Sequence, residues 1–167
     1  GSMYDADLRS PNTYWQYSYS HDNAHGLFWN CTVQNDSNIV CRYNVSKNDK
    51  GIIFCVNYPV NLISIYNNTV FIPEHLSPTI ISERNRGSSS NGPNTRTYSF
   101  KNNIIYNLSP TSIYHWNKTP NRYLRTFLAN CFYGIHPENE PEDPRKITLD
   151  PKFVNPNIDS FYSPYRM

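Results

Sequence analysis

Large apolar residues recur along this chain at long intervals, each followed three positions later by a small polar residue, Asn in four segments and Ser in one. Five segments carry the pattern: Trp15-Gln16-Tyr17-Ser18, Cys41-Arg42-Tyr43-Asn44, Ile65-Tyr66-Asn67-Asn68, Phe100-Lys101-Asn102-Asn103 and Phe127-Leu128-Ala129-Asn130. The polar file is Ser18, Asn44, Asn68, Asn103 and Asn130, with steps of 26, 24, 35 and 27 residues. A second file runs 13 positions ahead of it, with Cys31 before Asn44, Cys55 before Asn68 and Asn117 before Asn130. Repeats of this length mark a solenoid whose units cannot bury an inner face alone. A coil of about 24 residues holds three short strands and three turns, and stacking pairs each strand in parallel with its copies.

Asn suits the sharp turn because it tolerates left-handed backbone and bonds locally, and stacked Asn side chains can bond along a ladder. Trp15, Cys41, Ile65, Phe100 and Phe127 then form an inward apolar column. The competing architecture is an antiparallel β-sandwich, whose strands recur every 8–12 residues without position-matched files. The expected fold is all-β, a right-handed parallel β-helix of five to seven rungs, with little helix because no segment sustains a 3.6-residue period.

The first strands of successive rungs are expected at Tyr4 to Leu8, Gly26 to Cys31, Gly51 to Val56, Thr79 to Arg84 and Ile113 to Asn117. The loops after them vary most. Residues Arg84 to Thr97 account for the longest step, and Lys118 to Arg125 reads as a second basic loop. Insertions on one edge of a solenoid build its binding face. The acidic, Pro-rich stretch Pro137 to Asp143 reads as a loop, and Lys146 to Val154 as one more strand and a turn.

Composition agrees with strands: 14 Tyr and 23 Asn in 167 residues, and only 17 % charged. Asn competes with the helical backbone for hydrogen bonds, and Tyr favours strands. A net charge of +2 gives no nucleic-acid footprint. No apolar run reaches membrane-spanning length. The four cysteines, Cys31, Cys41, Cys55 and Cys131, form no C-x-x-C pair, which argues against zinc, and their apolar flanks read as buried thiols. Gly1-Ser2-Met3 reads as an expression scar, and residues 4–167 as one domain from the C-terminal part of a longer β-helix. Further rungs or another chain are expected to cover its N-terminal end, since an open sheet edge invites pairing.

The segments Tyr4-Asp5-Ala6-Asp7, Gln16 to Asn23, Arg42 to Ser46, Ile65 to Thr69, Asn102 to Asn107 and Asp150 to Pro156 resemble right-handed parallel β-helix proteins of the pectate-lyase-like superfamily. The resemblance covers nearly the whole chain. It implies a secreted or cell-surface carbohydrate-active protein, with a polysaccharide or glycan lying along a sheet beside the long loops. Glycoside hydrolysis stands ahead of polysaccharide lyase action, and a non-catalytic carbohydrate-binding or adhesion role is the rival. No lyase or polygalacturonase motif is complete in this sequence. No cofactor is required, and calcium is compatible with the family.

Asp5 and Asp7 stand two apart on an expected strand, on one face, with about 7 Å between their Cα atoms. Glycosidases use two carboxylates about 5–9 Å apart, one as acid and one as base or nucleophile. Calcium binding or a solvated edge are the alternatives. Glu83 is the third candidate catalytic carboxylate. Around the long loop, Arg84, Arg86 and Arg96, with Tyr114, His115 and Trp116 on a later strand, suit sugar rings and acidic groups. Tyr114 and Trp116 share a face and are expected to bind or pack together. His21 and Asp22 are adjacent, and are expected to point to opposite faces; Asp22-Asn23 also matches Asn48-Asp49 one rung later, which favours a turn. The Asn-x-Ser/Thr tripeptides at Asn44 and Asn67 coincide with repeat positions and read as ladder residues.

Overall fold

A computed structural model describes residues 4–6, 10–30, 37–58, 61–85, 96–118 and 123–154. Strands β1 (Tyr4–Ala6), β2 (Tyr14–Gln16) and β3 (Tyr19–His21) come first, then β4 (Phe28–Asn30), β5 (Ser37–Arg42) and β6 (Val45–Lys47). They are followed by β7 (Ile52–Tyr58), β8 (Asn61–Tyr66) and β9 (Thr69–Ile72), and by β10 (Thr79–Asn85), β11 (Arg96–Lys101) and β12 (Ile104–Asn107). β13 (Ile113–His115), β14 (Tyr123–Leu128) and β15 (Cys131–Gly134) end the series. Each strand pairs in parallel with the strand three places on. The result is three five-stranded sheets, in the orders β1-β4-β7-β10-β13, β2-β5-β8-β11-β14 and β3-β6-β9-β12-β15. The chain is therefore an all-β parallel solenoid, and no helix occurs among the described residues.

The apolar column forms as its spacing predicts: Trp15 pairs with Cys41, Cys41 with Ile65, Ile65 with Phe100 and Phe100 with Phe127. Phe28, Phe54 and Ile81 fill the interior from the first sheet, in register with one another. Cys41, Cys55 and Cys131 are buried free thiols, and burial pushes the Cys41 thiol up to about 12.

The Asn file is a continuous hydrogen-bonded ladder. Asn44 Oδ1 accepts from the Ser18 N–H, and Asn68 Oδ1 accepts from both the N–H and the Nδ2 of Asn44. Asn103 and Asn130 repeat this for Asn68 and Asn103. Each Nδ2 also donates back to the carbonyl of an apolar-column residue: Trp15, Cys41, Ile65 and Phe100 in turn. The left-handed residue is not the ladder Asn but the one before it: Tyr17, Tyr43, Asn67, Asn102 and Ala129, with φ of 52–59°. The sharp turn and the ladder bond are thus divided between two adjacent positions.

Three expectations are corrected. The 13-residue file is not a column, because Cys55 pairs with Trp29, two positions before Cys31, which lies outside the described residues. The interior packing of Phe28 on Phe54 sets the register there, not the count from the ladder. Lys118 to Arg125 is not all loop, since β14 starts at Tyr123 and contains Arg125. The expected strand from Lys146 reduces to one parallel bridge, Ile147 on Cys131. That segment works instead as a cap: Asp143 accepts from the Asn130 N–H and Nδ2 and from the Ala129 N–H, ending the ladder.

Candidate functional site

Because Phe28, Phe54 and Ile81 point inward, their neighbours Trp29, Cys55 and Ser82 point to the opposite side of the first sheet, where Trp29 is half-buried while Cys55 and Ser82 are covered. Register extends that column to Asp5 in β1 and His115 in β13. Four strand spacings of about 4.8 Å make it roughly 19 Å long, enough for several sugar rings. Arg84 lies two residues beyond Ser82, on the same face. Its guanidinium reaches across β7 and rests 5.0 Å from the Trp29 ring centroid. His115 is exposed, and its Nδ1 lies 3.4 Å from the Ser82 hydroxyl.

Asp5 pairs with Trp29 through its backbone; its side chain, and Asp7, Arg86 and the Arg96 side chain, lie outside the described residues. The structure places Arg84 and His115 on this side of the sheet, with His115 at the edge opposite the strand that holds Asp5. It turns Glu83, Tyr114 and Trp116 elsewhere. Glu83 points inward with a fully buried side chain. Its carboxylate accepts from the Tyr98 hydroxyl (2.9 Å), the Asn117 N–H (2.8 Å), and Arg125 Nε and Nη2 (both 2.5 Å). Both oxygens are occupied, so this carboxylate is a tie between β10, β11 and β14 and has no open side toward a substrate. Burial and the Glu83 charge raise Tyr98 well above a tyrosine's ordinary value, and the bond to Glu83 raises Arg125.

Tyr114 and Trp116 pack together on the inner side, as the shared face requires, with rings stacked at 5.5 Å. Tyr114 is buried, which raises its hydroxyl well above the ordinary value, and the charge of Glu140 adds to this. The Trp116 indole donates to the Asn139 carbonyl, and Arg125 lies 5.4 Å from its ring. Neither ring is part of the outer face.

His21 and Asp22 do not separate. Asp22 has φ 56°, so the strand alternation ends and its carboxylate meets the His21 Nδ1 at 2.8 Å. That bond leads the causes holding Asp22 below the ordinary carboxylate range. The turn repeats at Asn48 (φ 57°), where buried Asp49 accepts from the Ser20 and Ser46 hydroxyls and from Asn23. Among the described residues no group of three or more His, Cys, Asp or Glu converges as a metal site. Trp29 is the site residue that sequence reasoning missed. Its signal was Leu27-Phe28-Trp29, where one aromatic of an adjacent pair must face outward.

No family model and no solved structure matches the chain. The chain is similar to a Lacto-N-biosidase of Bifidobacterium longum subsp. longum, with 29% identity over 154 residues. The match covers 90% of this chain and 9% of that protein, so the chain spans under a tenth of the relative's length. The parallel solenoid and this similarity together support a carbohydrate-related role.

Proposed function

We propose that this chain is part of a secreted or cell-surface glycoside hydrolase, and that a glycan lies along the outer face of its first sheet. The observation that carries the reading is the Arg84–Trp29 pair, a flat aromatic with a guanidinium laid on it, in a column continued by Ser82 and His115. The Trp29 indole holds the Arg84 guanidinium in place, and Arg offers donors to sugar oxygens. The chain belongs, in this reading, to a right-handed β-helix of the pectate-lyase-like kind with five to seven rungs. Parallel strand crossovers are right-handed in about 98% of cases, which supports the hand. Asp5 and Asp7 are the acid and base, since alternate positions on a strand place two carboxylates within the range that hydrolysis uses.

The similarity to a Lacto-N-biosidase supports lacto-N-bioside-bearing glycans as the substrate class. A non-catalytic glycan-binding wall is the second reading. It is favoured by the inward engagement of Glu83, which leaves the outer face without that carboxylate. Calorimetric titration with an oligosaccharide ending in a lacto-N-bioside tests the site: Trp29→Ala is expected to weaken binding tenfold or more. Unchanged affinity removes the first sheet as the binding face. In the longer hydrolase, Asp7→Asn is expected to abolish turnover with binding retained, and full turnover sinks the catalytic assignment. An unsaturated, ultraviolet-absorbing uronide among the products would instead identify a lyase.

A further inference from the structure

The second sheet has an outer face unlike the first. Its five strands, β2, β5, β8, β11 and β14, contain no Asp or Glu but carry Arg42, Arg96, Lys101 and Arg125. Arg125 is neutralised by Glu83. Arg42 and Lys101 have no carboxylate partner among the described residues. They flank Tyr66 in one outward column, two strand spacings or about 9.5 Å apart. Arg42 is fixed: Nε donates to Gln16 Oε1 and Nη1 to the Tyr66 hydroxyl, both at 2.7 Å, and Nη2 has no hydrogen-bond partner among the described residues. Its guanidinium lies 5.4–5.8 Å from the ring centroids of Tyr14, Tyr43 and Tyr66.

A second observation concerns backbone cost. The position before each ladder residue is left-handed, and Asn67 and Asn102 occupy it where local bonding makes that conformation cheap. In the first two coils it carries Tyr17 and Tyr43, at φ 58° and 55°. Bulky side chains are disfavoured there. These two are also exposed, Tyr17 by 72 % and Tyr43 by 41 %, and stacked at 5.3 Å with their planes 3° apart. Residues that break a local rule on a surface, without burial in return, mark function more often than folding.

We propose that this patch is a second glycan site, for a chain that bears carboxylates. Sugar rings lie against Tyr17 and Tyr43, the open Nη2 of Arg42 takes a carboxylate, and Lys101 attracts the next acidic group along the column. The planar, pinned guanidinium fits a carboxylate at little cost in side-chain ordering. This site stands apart from the first-sheet face and does not require that reading.

The test is calorimetric titration of the whole chain with an oligogalacturonate, its methyl ester and a heparin fragment. The free acid is expected to bind at least tenfold more tightly than the ester, and Arg42→Gln to erase the difference. Tyr17→Asn with Tyr43→Asn is expected to weaken binding tenfold or more while Tm holds or rises, because Asn is at ease in a left-handed turn. Trp29→Ala is expected to leave the acid's affinity as it is. Equal affinity for acid and ester, no binding, retention by the double Asn variant, or preference for the sulfated heparin overturns the proposal. Loss of acid binding in Trp29→Ala also overturns it, by moving the ligand to the first sheet.

Discussion

At the scale of single residues, the interior is held by polar groups whose valences are filled. Glu83 and Arg125 show how much rests on this. The carboxylate is wholly enclosed, whereas Arg125 keeps about a third of its side chain exposed. Removing one member of such a pair strands the other in a low-dielectric interior, at a cost of about 3–5 kcal/mol for full burial. With Arg125 partly solvated, Arg125→Met is expected to cost roughly 3 kcal/mol in urea unfolding. Adding Glu83→Gln is expected to recover part of the loss, because the buried charge goes with it. An Arg125→Met chain as stable as the parent would show that the tie between Glu83 and Arg125 does not hold the coils together. The sequence could name Glu83 but not its role, because a strand's alternation fixes faces only once one neighbour is known to be core. Ile81 settles that, and its inward direction was not visible from Thr79-Ile80-Ile81-Ser82 alone.

At the scale of elements, the ladder is the feature most plainly written in the chain. Its spacing was legible because the same short turn recurs between the second and third sheets, with no insertion to disturb the phase. The first sheet was harder to read, since the loops leading into it and out of it differ in length from coil to coil. The 13-residue phase therefore suggested a column through Cys31 where packing placed Trp29. The ladder's end was also hidden, because Asp143 continues the file from an irregular segment with none of the repeat's sequence. Burial alone would raise the Asp143 carboxyl. The N–H groups of Asn130, Arg145 and Ala129 and the Asn130 amide outweigh burial and hold it below the ordinary carboxylate range. Folding thus lowers this pKa. Its stabilisation is fully present above the unfolded value of about 3.9 and is lost as pH falls through the lower folded value. In Asp143→Asn the fall in Tm on acidification below about pH 4 is expected to be shallower than in the parent, by calorimetric scans across that range. Parallel curves would assign the acid sensitivity to other carboxylates.

At the scale of the whole molecule, a solenoid transmits stability only through neighbouring coils, so its ends and its middle need not melt together. The segment after β15 closes one end at two points. Asn139 accepts from the Tyr114 N–H and donates to the Tyr114 carbonyl, completing the backbone of β13. Ile147 accepts from the Phe132 N–H and donates to the Asn130 carbonyl, as a further strand would. Asn139→Ala should therefore act on β13 and on Trp116, whose indole bonds the Asn139 carbonyl, far more than on strands several coils away. Amide hydrogen exchange is expected to show faster exchange at Tyr114 and its neighbours, with protection in β4 to β6 within error of the parent. Uniform loss of protection would mean that the coils unfold as one cooperative body. The same locality bears on both outer faces. Trp29 and Arg84 are joined through β7, and Tyr17, Tyr43 and Tyr66 through adjacent coils of the second sheet. The second-sheet patch then depends on coils away from the capped end, whereas the first face includes His115 of β13, and Asn139→Ala is expected to leave the affinity for the carboxylate-bearing glycan intact while the cap frays.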